Sequence, residues 1–281
     1  MTVKLVTKEK IAETSSKGNQ EKWYDKETDK WYKLDQFGYE ALSETLISRL
    51  LEKSNIEQDT PFEFVRYEME KINAHGRERT GCSSQNFSEG YSIITVNHLL
   101  SRHLGIPLKD KLESLKSDKK RIEYLAEKTK EVTGLEYFPQ YLTLLFEIDA
   151  MFLNDDRHLN NIAVLEKEGK YGYCPIFDNG AGLLSDAQMS PMDIEPKALI
   201  RSLEARPFNT TFNRQKNAAE SLYGKQLVMP KLTKKEVLEE LEPLLEYYSE
   251  RDRGMIADRV ICSIMENILK SKKVLVRQNR V

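Results

Sequence analysis

Apolar residues recur at helical spacing in several stretches of the chain. Residues 36–54 place Leu42, Leu46 and Leu50 on one face, whereas residues 137–153 are apolar at nearly every position. Such periods predict an amphipathic helix in the first stretch and a buried helix in the second. Further helices are predicted at 97–104, 108–133, 232–248 and 255–269.

Strand patterns are concentrated before residue 97. Two Trp–Tyr pairs, at 23–24 and 31–32, flank a polar turn and predict a β-hairpin. Alternation over 61–69 predicts another strand, and the polar run 70–79 predicts a turn. Other strand signals lie at 3–13, where one helical turn is an alternative, and at 81–87, 92–96, 162–165 and 171–177.

The change from strand-rich to helix-rich sequence predicts an α+β fold with two lobes. The smaller, strand-rich N-lobe would span residues 1–96. The larger, helical C-lobe would span 97–281 and contain the 162–177 hairpin. Residues 185–230 show little periodicity and are interpreted as a substrate-facing segment with short helices.

Composition narrows the class of protein. The chain has 281 residues, 40% hydrophobic and 31% charged, with a net charge of −2. This length allows a sizeable core, and the weak net charge argues against a strongly basic nucleic-acid binder. No apolar run reaches membrane-spanning length, the first residues lack a signal-peptide pattern, and the three cysteines are widely spaced. We therefore expect a cytoplasmic protein with free thiols that contacts neither membrane nor nucleic acid directly.

The most informative motif joins a short polar loop to a distant aspartate. Asp156 and Asn161 stand five positions apart, an apolar run follows, and a second apolar run leads to Asp178. This order is typical of the catalytic half of a kinase. Mg²⁺ prefers hard oxygen ligands, which Asn161 and Asp178 offer, and a carboxylate free of metal can accept the proton of an attacking hydroxyl. Asp156 is therefore predicted to be the base and Asn161 with Asp178 to hold Mg²⁺.

A simpler explanation is a turn rich in Asp and Asn, since both residues favour turns for backbone reasons. The loop alone does not exclude it. The second element, Phe177-Asp178-Asn179-Gly180, follows across a predicted hairpin and favours the kinase interpretation.

The first lobe supplies candidates for the phosphate side of an ATP site. The segment 14–22 has small residues and one glycine, and backbone N–H groups of such a loop can hold phosphates. Lys33 lies on the second strand of the hairpin, where a lysine can reach phosphates. A helix glutamate orders this lysine in kinases, and both Glu40 and Glu44 are candidates.

Taken together, these motifs resemble HipA-type serine/threonine kinases, the toxins of bacterial toxin–antitoxin systems. The resemblance covers about residues 14–270 and is specific as a set. It rests on Ser15-x-x-Gly18-x-Gln20-Glu21-Lys22, Glu44 with Ser48-Arg49-Leu50-Leu51, Phe64-Val65-Arg66-Tyr67, Asn154-x-Asp156-x-His158-x-x-Asn161, Phe177-Asp178 and Ala205-Arg206-Pro207-Phe208.

The resemblance implies roles for the phosphate side. Ser15, Ser16, Gly18 and Lys22 would shape the phosphate loop, and Lys33 would contact the phosphates of ATP. Family members autophosphorylate a serine of this loop and thereby switch themselves off. Ser15, or its neighbour Ser16, matches that position.

The resemblance also implies the remaining contacts of ATP. Glu44, rather than Glu40, would hold the strand lysine. The carbonyl of Val65 and the N–H of Tyr67 would bind adenine, and His158 would lie near the γ-phosphate.

The predicted function is thus an ATP- and Mg²⁺-dependent serine/threonine protein kinase. Family members act on protein substrates such as translation factors and bind a helix-turn-helix antitoxin, through which any link to DNA would be indirect. The N-terminal subdomain of full-length HipA is not expected in this chain. Two alternatives stay open: a small-molecule or phosphoinositide-type kinase, which shares the Asp-Arg-His-x-x-Asn loop, and a non-catalytic nucleotide-binding module.

Overall fold

A five-stranded sheet organises the first part of the chain. The computed structural model describes residues 3–6, 20–74 and 76–278, without the side chains of 3–6 and 267–278. The strands lie in the order β1-β4-β5-β3-β2, and every neighbouring pair is antiparallel except β1 with β4. Their bounds are β1 Val3–Val6, β2 Lys22–Asp25, β3 Lys30–Leu34, β4 Glu68–Ala74 and β5 Arg77–Gln85.

The predicted Trp–Tyr hairpin is confirmed as β2–β3. Trp23 lies opposite Tyr32, and their rings stack with centroids 5.4 Å apart in the buried interior. Lys22 lies opposite Lys33 in the same register. Cross-strand partners share one face of a sheet, so both lysines extend toward the same side.

The predicted strand at 61–69 and the turn at 70–79 are wrong. The regular strand is β4, and most of residues 70–79 belongs to the β4–β5 hairpin. Phe62, Phe64 and Tyr67 are buried in an irregular segment, where Phe62 packs edge-on against Tyr141 and Tyr173. Their alternation thus reflects packing against the helical part rather than a strand pleat.

The helices agree well with the predicted ones. The segment predicted at 137–153 is a helix over Phe138–Phe152 whose side chains are buried on nearly every face. The bounds are α1 Glu40–Leu51, α2 Ile56–Asp59, α3 Val96–Leu104, α4 Leu108–Glu113, α5 Asp118–Thr133, α6 Phe138–Phe152, α7 Pro196–Ser202, α8 Phe212–Tyr223, α9 Lys234–Leu245 and α10 Glu250–Gln278.

A second, three-stranded sheet lies next to the helical part. It consists of β6 Ser92–Thr95, β7 Ala163–Lys167 and β8 Lys170–Tyr173, all antiparallel. The predicted catalytic hairpin is therefore present as β7–β8. Because β6 pairs with β7, the predicted lobe boundary at residue 96 stays a prediction.

Two further predictions from composition concern the cysteines and membrane-spanning segments. Cys82, Cys174 and Cys262 form no disulfide within the described residues, and the first two are buried. Over the ranges that the structure describes, none of the helices is both long and apolar enough to pass through a bilayer.

A partly buried carboxylate at the start of α1 predicts a pH-dependent stability. Asp35 accepts hydrogen bonds from the Tyr248 hydroxyl at 2.7 Å and the Ala41 N–H at 2.6 Å. Burial, followed by the nearby Glu40 carboxylate, raises the pKa of Asp35 to about 8. Between about pH 4 and pH 8 the folded protein holds a proton that the unfolded chain has released, so the free energy of unfolding falls progressively across this interval and the loss is complete above pH 8.

Asp35→Asn should therefore match the wild type in stability near pH 4 and exceed it increasingly at higher pH, by at least about 1 kcal/mol near pH 9. Urea unfolding at pH 4, 7 and 9 measures the difference. The exposed Asp193 gives the control variant Asp193→Asn, which should follow the wild type at every pH. If the free energy of unfolding had the same pH dependence in Asp35→Asn and the wild type, the raised pKa of Asp35 would be contradicted.

Candidate active site

Lys33 joins two carboxylates that are distant in the chain. Its Nζ lies 2.5 Å from Glu44 Oε1 and 2.8 Å from Asp178 Oδ1. Burial by itself would lower the pKa of Lys33, but Asp178 and then Glu44 outweigh it and raise the pKa well above its ordinary value. Burial by itself would raise the pKa of Asp178, but the ammonium groups of Lys33 and then Lys22 outweigh it. The pKa of Asp178 therefore lies well below its ordinary value. The lysine is charged and both of its acidic partners are held in place.

Glu40 lies elsewhere and binds the turn that precedes its own helix. Its carboxylate accepts the N–H groups of Phe37 at 2.7 Å and Gly38 at 3.1 Å, which fixes the chain where it enters α1. Glu44, one turn later, extends to the sheet and also accepts the N–H of Asn179 at 2.8 Å through Oε2. Of the two glutamates, the structure thus places Glu44 beside Lys33.

Asp178 occupies a strained turn beside Lys33. Its φ of 62° lies in the left-handed region, which is costly for a non-glycine residue, by about 1–3 kcal/mol. The turn is fixed on both sides because Ile176 pairs with Phe64 and the Ser43 hydroxyl donates to the carbonyl of Asn179 at 3.0 Å. At Gly182 an added Cβ would lie 2.8 Å from the end of the Ile47 side chain and 3.1 Å from the carbonyl oxygens of Asn179 and Phe152, so a larger residue would require these neighbours to shift.

Arg157 connects the catalytic loop to the rest of the site. Its guanidinium is fully buried and pairs at 3.1 Å with Asp149 of α6, whose side chain is only 1% exposed. It also donates to the carbonyls of Phe177 at 2.6 Å and Asn161 at 3.3 Å and to Asn179 Oδ1 at 2.7 Å. One side chain therefore fixes the loop that carries Asn161 next to the turn that carries Asp178.

No role was predicted for the residues of this network. A second amide, Asn154, donates to Asp149 Oδ1 at 3.0 Å and to the carbonyl of Asp178 at 3.2 Å. A signal was present: Asp149 lies within a helix that is apolar at almost every turn, and a buried carboxylate requires a partner. The first arginine after that helix, Arg157, is the residue that supplies it.

Asp156 is partly exposed at the edge of the site. Its Oδ1 accepts from Arg206 Nη1 at 2.7 Å, and its Oδ2 lies 3.9 Å from His158 Nε2. Burial raises the pKa of Asp156, while His158 and then Arg206 oppose the rise. The backbone carbonyl of Asp156 accepts from Asn161 Nδ2 at 3.0 Å, so the amide oxygen of Asn161 is directed away from this bond.

The donor set fits a hard divalent cation. Asp178 offers a carboxylate and Asn161 an amide oxygen, and the Arg157 guanidinium holds the backbone beside both. No group of three or more His, Cys, Asp or Glu side chains suited to a metal occurs among residues 20–74 and 76–266. A cation here would thus take only two protein ligands, as Mg²⁺ does when phosphates and water complete its shell.

The adenine contacts of the Val65 carbonyl and the Tyr67 N–H stay a prediction, and at Tyr67 the structure shows a competing bond. The N–H of Tyr67 is already bonded to Ser48 Oγ at 3.3 Å, and both residues are buried. The Tyr67 ring instead lies 5.2 Å from Lys33 Nζ. The predicted contacts assumed a strand that ends near residue 67, whereas the last strand of the five-stranded sheet ends at Gln85.

The predicted phosphate loop is only partly visible. Ser15, Ser16 and Gly18 lie outside the described residues. Lys22 follows them on β2, opposite Lys33, and burial lowers the pKa of its ammonium, with Asp178 opposing that shift. The described end of this segment therefore places a second lysine near Asp178.

Comparison with known proteins supports the fold. No protein-family model matches the chain, and no curated protein matches its sequence. The crystal structure of the Helicobacter pylori proinflammatory kinase CtkA is similar with a TM-score of 0.60 and 13% identity, over 92% of this chain and 93% of that chain.

A second similar structure is HipA of Shewanella oneidensis MR-1, solved in a toxin–antitoxin complex with HipB and operator DNA. It matches with a TM-score of 0.52 and 12% identity, over 91% of this chain and 64% of that chain. Both similarities extend over nearly the whole chain and include the two sheets and the helical part. This protein therefore has the α+β, kinase-like fold of HipA-type proteins.

Proposed function

We propose that this protein is a kinase that transfers the γ-phosphoryl group of ATP to a hydroxyl acceptor. The observation that supports the proposal most is the position of Lys33, held between Glu44 and Asp178. A strand lysine ordered by a helix glutamate, beside a metal-binding aspartate, is the arrangement that kinases use.

The residues divide between the two halves of the reaction. Asn161 and Asp178 would hold Mg²⁺, which supplies neutralisation of phosphate charge when bound. Asp156, which is not one of the proposed metal ligands, would accept the proton of the acceptor hydroxyl. Burial together with the adjacent Asp156 raises the pKa of Asp155 to about 6, so this carboxylate is still mostly ionised at pH 7 and adds negative charge beside Asp156.

Positive charge and unused hydrogen-bonding capacity favour phosphate binding. Lys33 and Lys22 lie on one face of the sheet and would contact the phosphates. Nδ1 of His158 is buried and makes no hydrogen bond within the part of the chain that the structure describes. A phosphate oxygen near His158 would satisfy that nitrogen.

For adenine we propose the connection between β5 and β6, residues 86–91, in place of Val65 and Tyr67. Phe87 of this connection lies against Phe177, with ring centroids 5.7 Å apart. Phe177 directly precedes Asp178, so an aromatic surface lies next to the proposed metal ligand. A flat base can bind such a surface by stacking.

We further propose that the acceptor is a serine or threonine of a protein, with Ser15 or Ser16 as a site of autophosphorylation. The two lobes would be residues 1–96 and 97–281. An antitoxin protein is a proposed partner because the similar HipA structure contains HipB. The substrate itself, a translation factor in the proposal, is inferred only from the resemblance.

Binding of nucleotide gives the direct test of the site. Mg–ATP at a hundred times its Kd should stabilise the wild type by about 2.7 kcal/mol in a thermal-unfolding experiment. Lys33→Met should lose most of this stabilisation, because the phosphates lose their buried ammonium. Lys30→Met is the matched control: Lys30 lies on the same strand, pairs with Glu68 at 3.3 Å, and should respond as the wild type does.

The comparison is made within each variant, with and without nucleotide, so a change in basal stability does not affect it. Equal stabilisation of Lys33→Met and Lys30→Met by Mg–ATP would place the nucleotide elsewhere.

A further inference from the structure

A tight turn at residues 205–210 lies beside the catalytic loop. Its ends pair through the Ala205 N–H and Thr210 carbonyl at 2.6 Å and the reverse bond at 3.3 Å. Phe208 is buried and packs edge-on against Phe146 of α6, with centroids 6.1 Å apart. Gln215 of α8 donates to the carbonyl of Arg206 at 2.9 Å. The turn is thus packed against α6, the helix that ends at the catalytic loop, and the backbone of Arg206 is bonded to α8.

The side chain of Arg206 extends from this turn to Asp156. Nη1 donates to Oδ1 at 2.7 Å, across fifty positions of sequence. The other nearby cations are engaged differently: Lys33 pairs with Glu44 and Asp178, and the buried Arg157 pairs with Asp149. Within the described residues, Arg206 therefore makes the shortest cationic contact of the Asp156 carboxylate.

This ion pair contributes little to folding. The side chains of Arg206 and Asp156 are 50% and 46% exposed, and exposed pairs contribute at most about 1 kcal/mol. Its geometric effect is larger, because a guanidinium on Oδ1 restricts rotation of the carboxylate about its side-chain torsions. Oδ2, which faces His158 at 3.9 Å, stays free to accept a hydrogen bond.

We propose that Arg206 is a positioning residue that holds the Asp156 carboxylate with Oδ2 toward the acceptor hydroxyl. The inference rests on the proposed function for its chemical meaning, but the orientation of Asp156 can be examined without any assay. The alternative is that Arg206 blocks Asp156 until an acceptor displaces it. In that case, removing Arg206 should not slow the reaction.

Crystal structures of the wild type, Arg206→Ala and Arg206→Lys give the test that is independent of activity. We expect the Asp156 side chain to leave its rotamer, or to populate several, in Arg206→Ala and to keep it in Arg206→Lys. Because the pair is exposed, both variants should fold. An unchanged, well-ordered Asp156 in Arg206→Ala would overturn the proposal.

Kinetics separate positioning from blocking. Arg206→Ala should lower kcat about 10- to 100-fold with an unchanged KM for ATP, since small displacements of reacting groups have effects of this size. Arg206→Lys should recover part of the loss. Arg214→Ala is the matched control: Arg214, at the start of α8, pairs with Asp118 at 2.9 Å and should leave kcat unchanged.

A rate for Arg206→Ala equal to or above that of the wild type would overturn the proposal in favour of a blocking contact. A wild type that transfers no phosphoryl group to any acceptor would refute the proposed function, and the crystal structures would still decide whether Arg206 orients Asp156.

Discussion

Asp156→Asn and Asp178→Asn are each expected to reduce phosphoryl transfer by at least about 10²- to 10⁴-fold. The amide of Asp156→Asn cannot accept the proton of the acceptor hydroxyl. Asp178→Asn removes the negative charge that would hold Mg²⁺ and leaves Lys33 paired with Glu44 alone. Asp155→Asn is the control, because this neighbouring carboxylate has no proposed part in the reaction.

Transfer of ³²P from ATP measures the effect with three acceptors: the protein itself, serine- and threonine-containing peptides, and small hydroxyl compounds such as inositol or an aminoglycoside. Mass spectrometry of the autophosphorylated protein should find phosphate on Ser15 or Ser16. Transfer that persists in both Asn variants would refute the catalytic assignment. Transfer only to the small compounds would favour a small-molecule kinase, and ATP binding without any transfer would favour a non-catalytic module.

Arg157→Met is expected to lower the free energy of unfolding by about 3–5 kcal/mol, the cost of leaving one member of a buried ion pair alone. Arg157 is fully buried, so its removal leaves the Asp149 carboxylate uncompensated inside the protein. The carbonyls of Phe177 and Asn161 lose a donor at the same time. Those bonds fix the catalytic loop beside the Asp178 turn, so transfer should fall as well.

Urea unfolding of Arg157→Met, Asp149→Leu and the double variant measures this coupling. The double variant should be less destabilised than the two single losses combined, since it leaves no unpaired buried charge. The control Arg66→Met removes an exposed arginine that pairs with Glu57 at 2.7 Å, and its effect should stay within about 1 kcal/mol. Strict additivity of the two single effects would show that Arg157 and Asp149 do not depend on each other.

The parts of the fold that were predictable from sequence share a local cause. The stacked Trp23–Tyr32 hairpin and the buried helix α6 each follow from a pattern within one continuous stretch. The strand at 61–69 was mispredicted because an irregular segment packed between two layers shows the same alternation as a strand. The predicted adenine contacts at Val65 and Tyr67 depend on the same mispredicted strand, because they were placed at its end.

The amino-acid sequence by itself determined the kinds of side chain available for the chemistry: a carboxylate and an amide five positions apart at Asp156 and Asn161, and a second carboxylate at Asp178. For Asp156 and Asn161 the spacing alone keeps the two side chains close, because five residues of chain cannot extend far.

Only the tertiary structure decided which charges meet. Lys33 reaches Asp178 across 145 positions and Arg206 reaches Asp156 across 50. Several lysines and arginines have the same chemistry, and local pattern does not distinguish among them. The choice depends on the packing of α1 against the sheet and of the 205–210 turn against α6, because burial and distance set the strength of an ion pair.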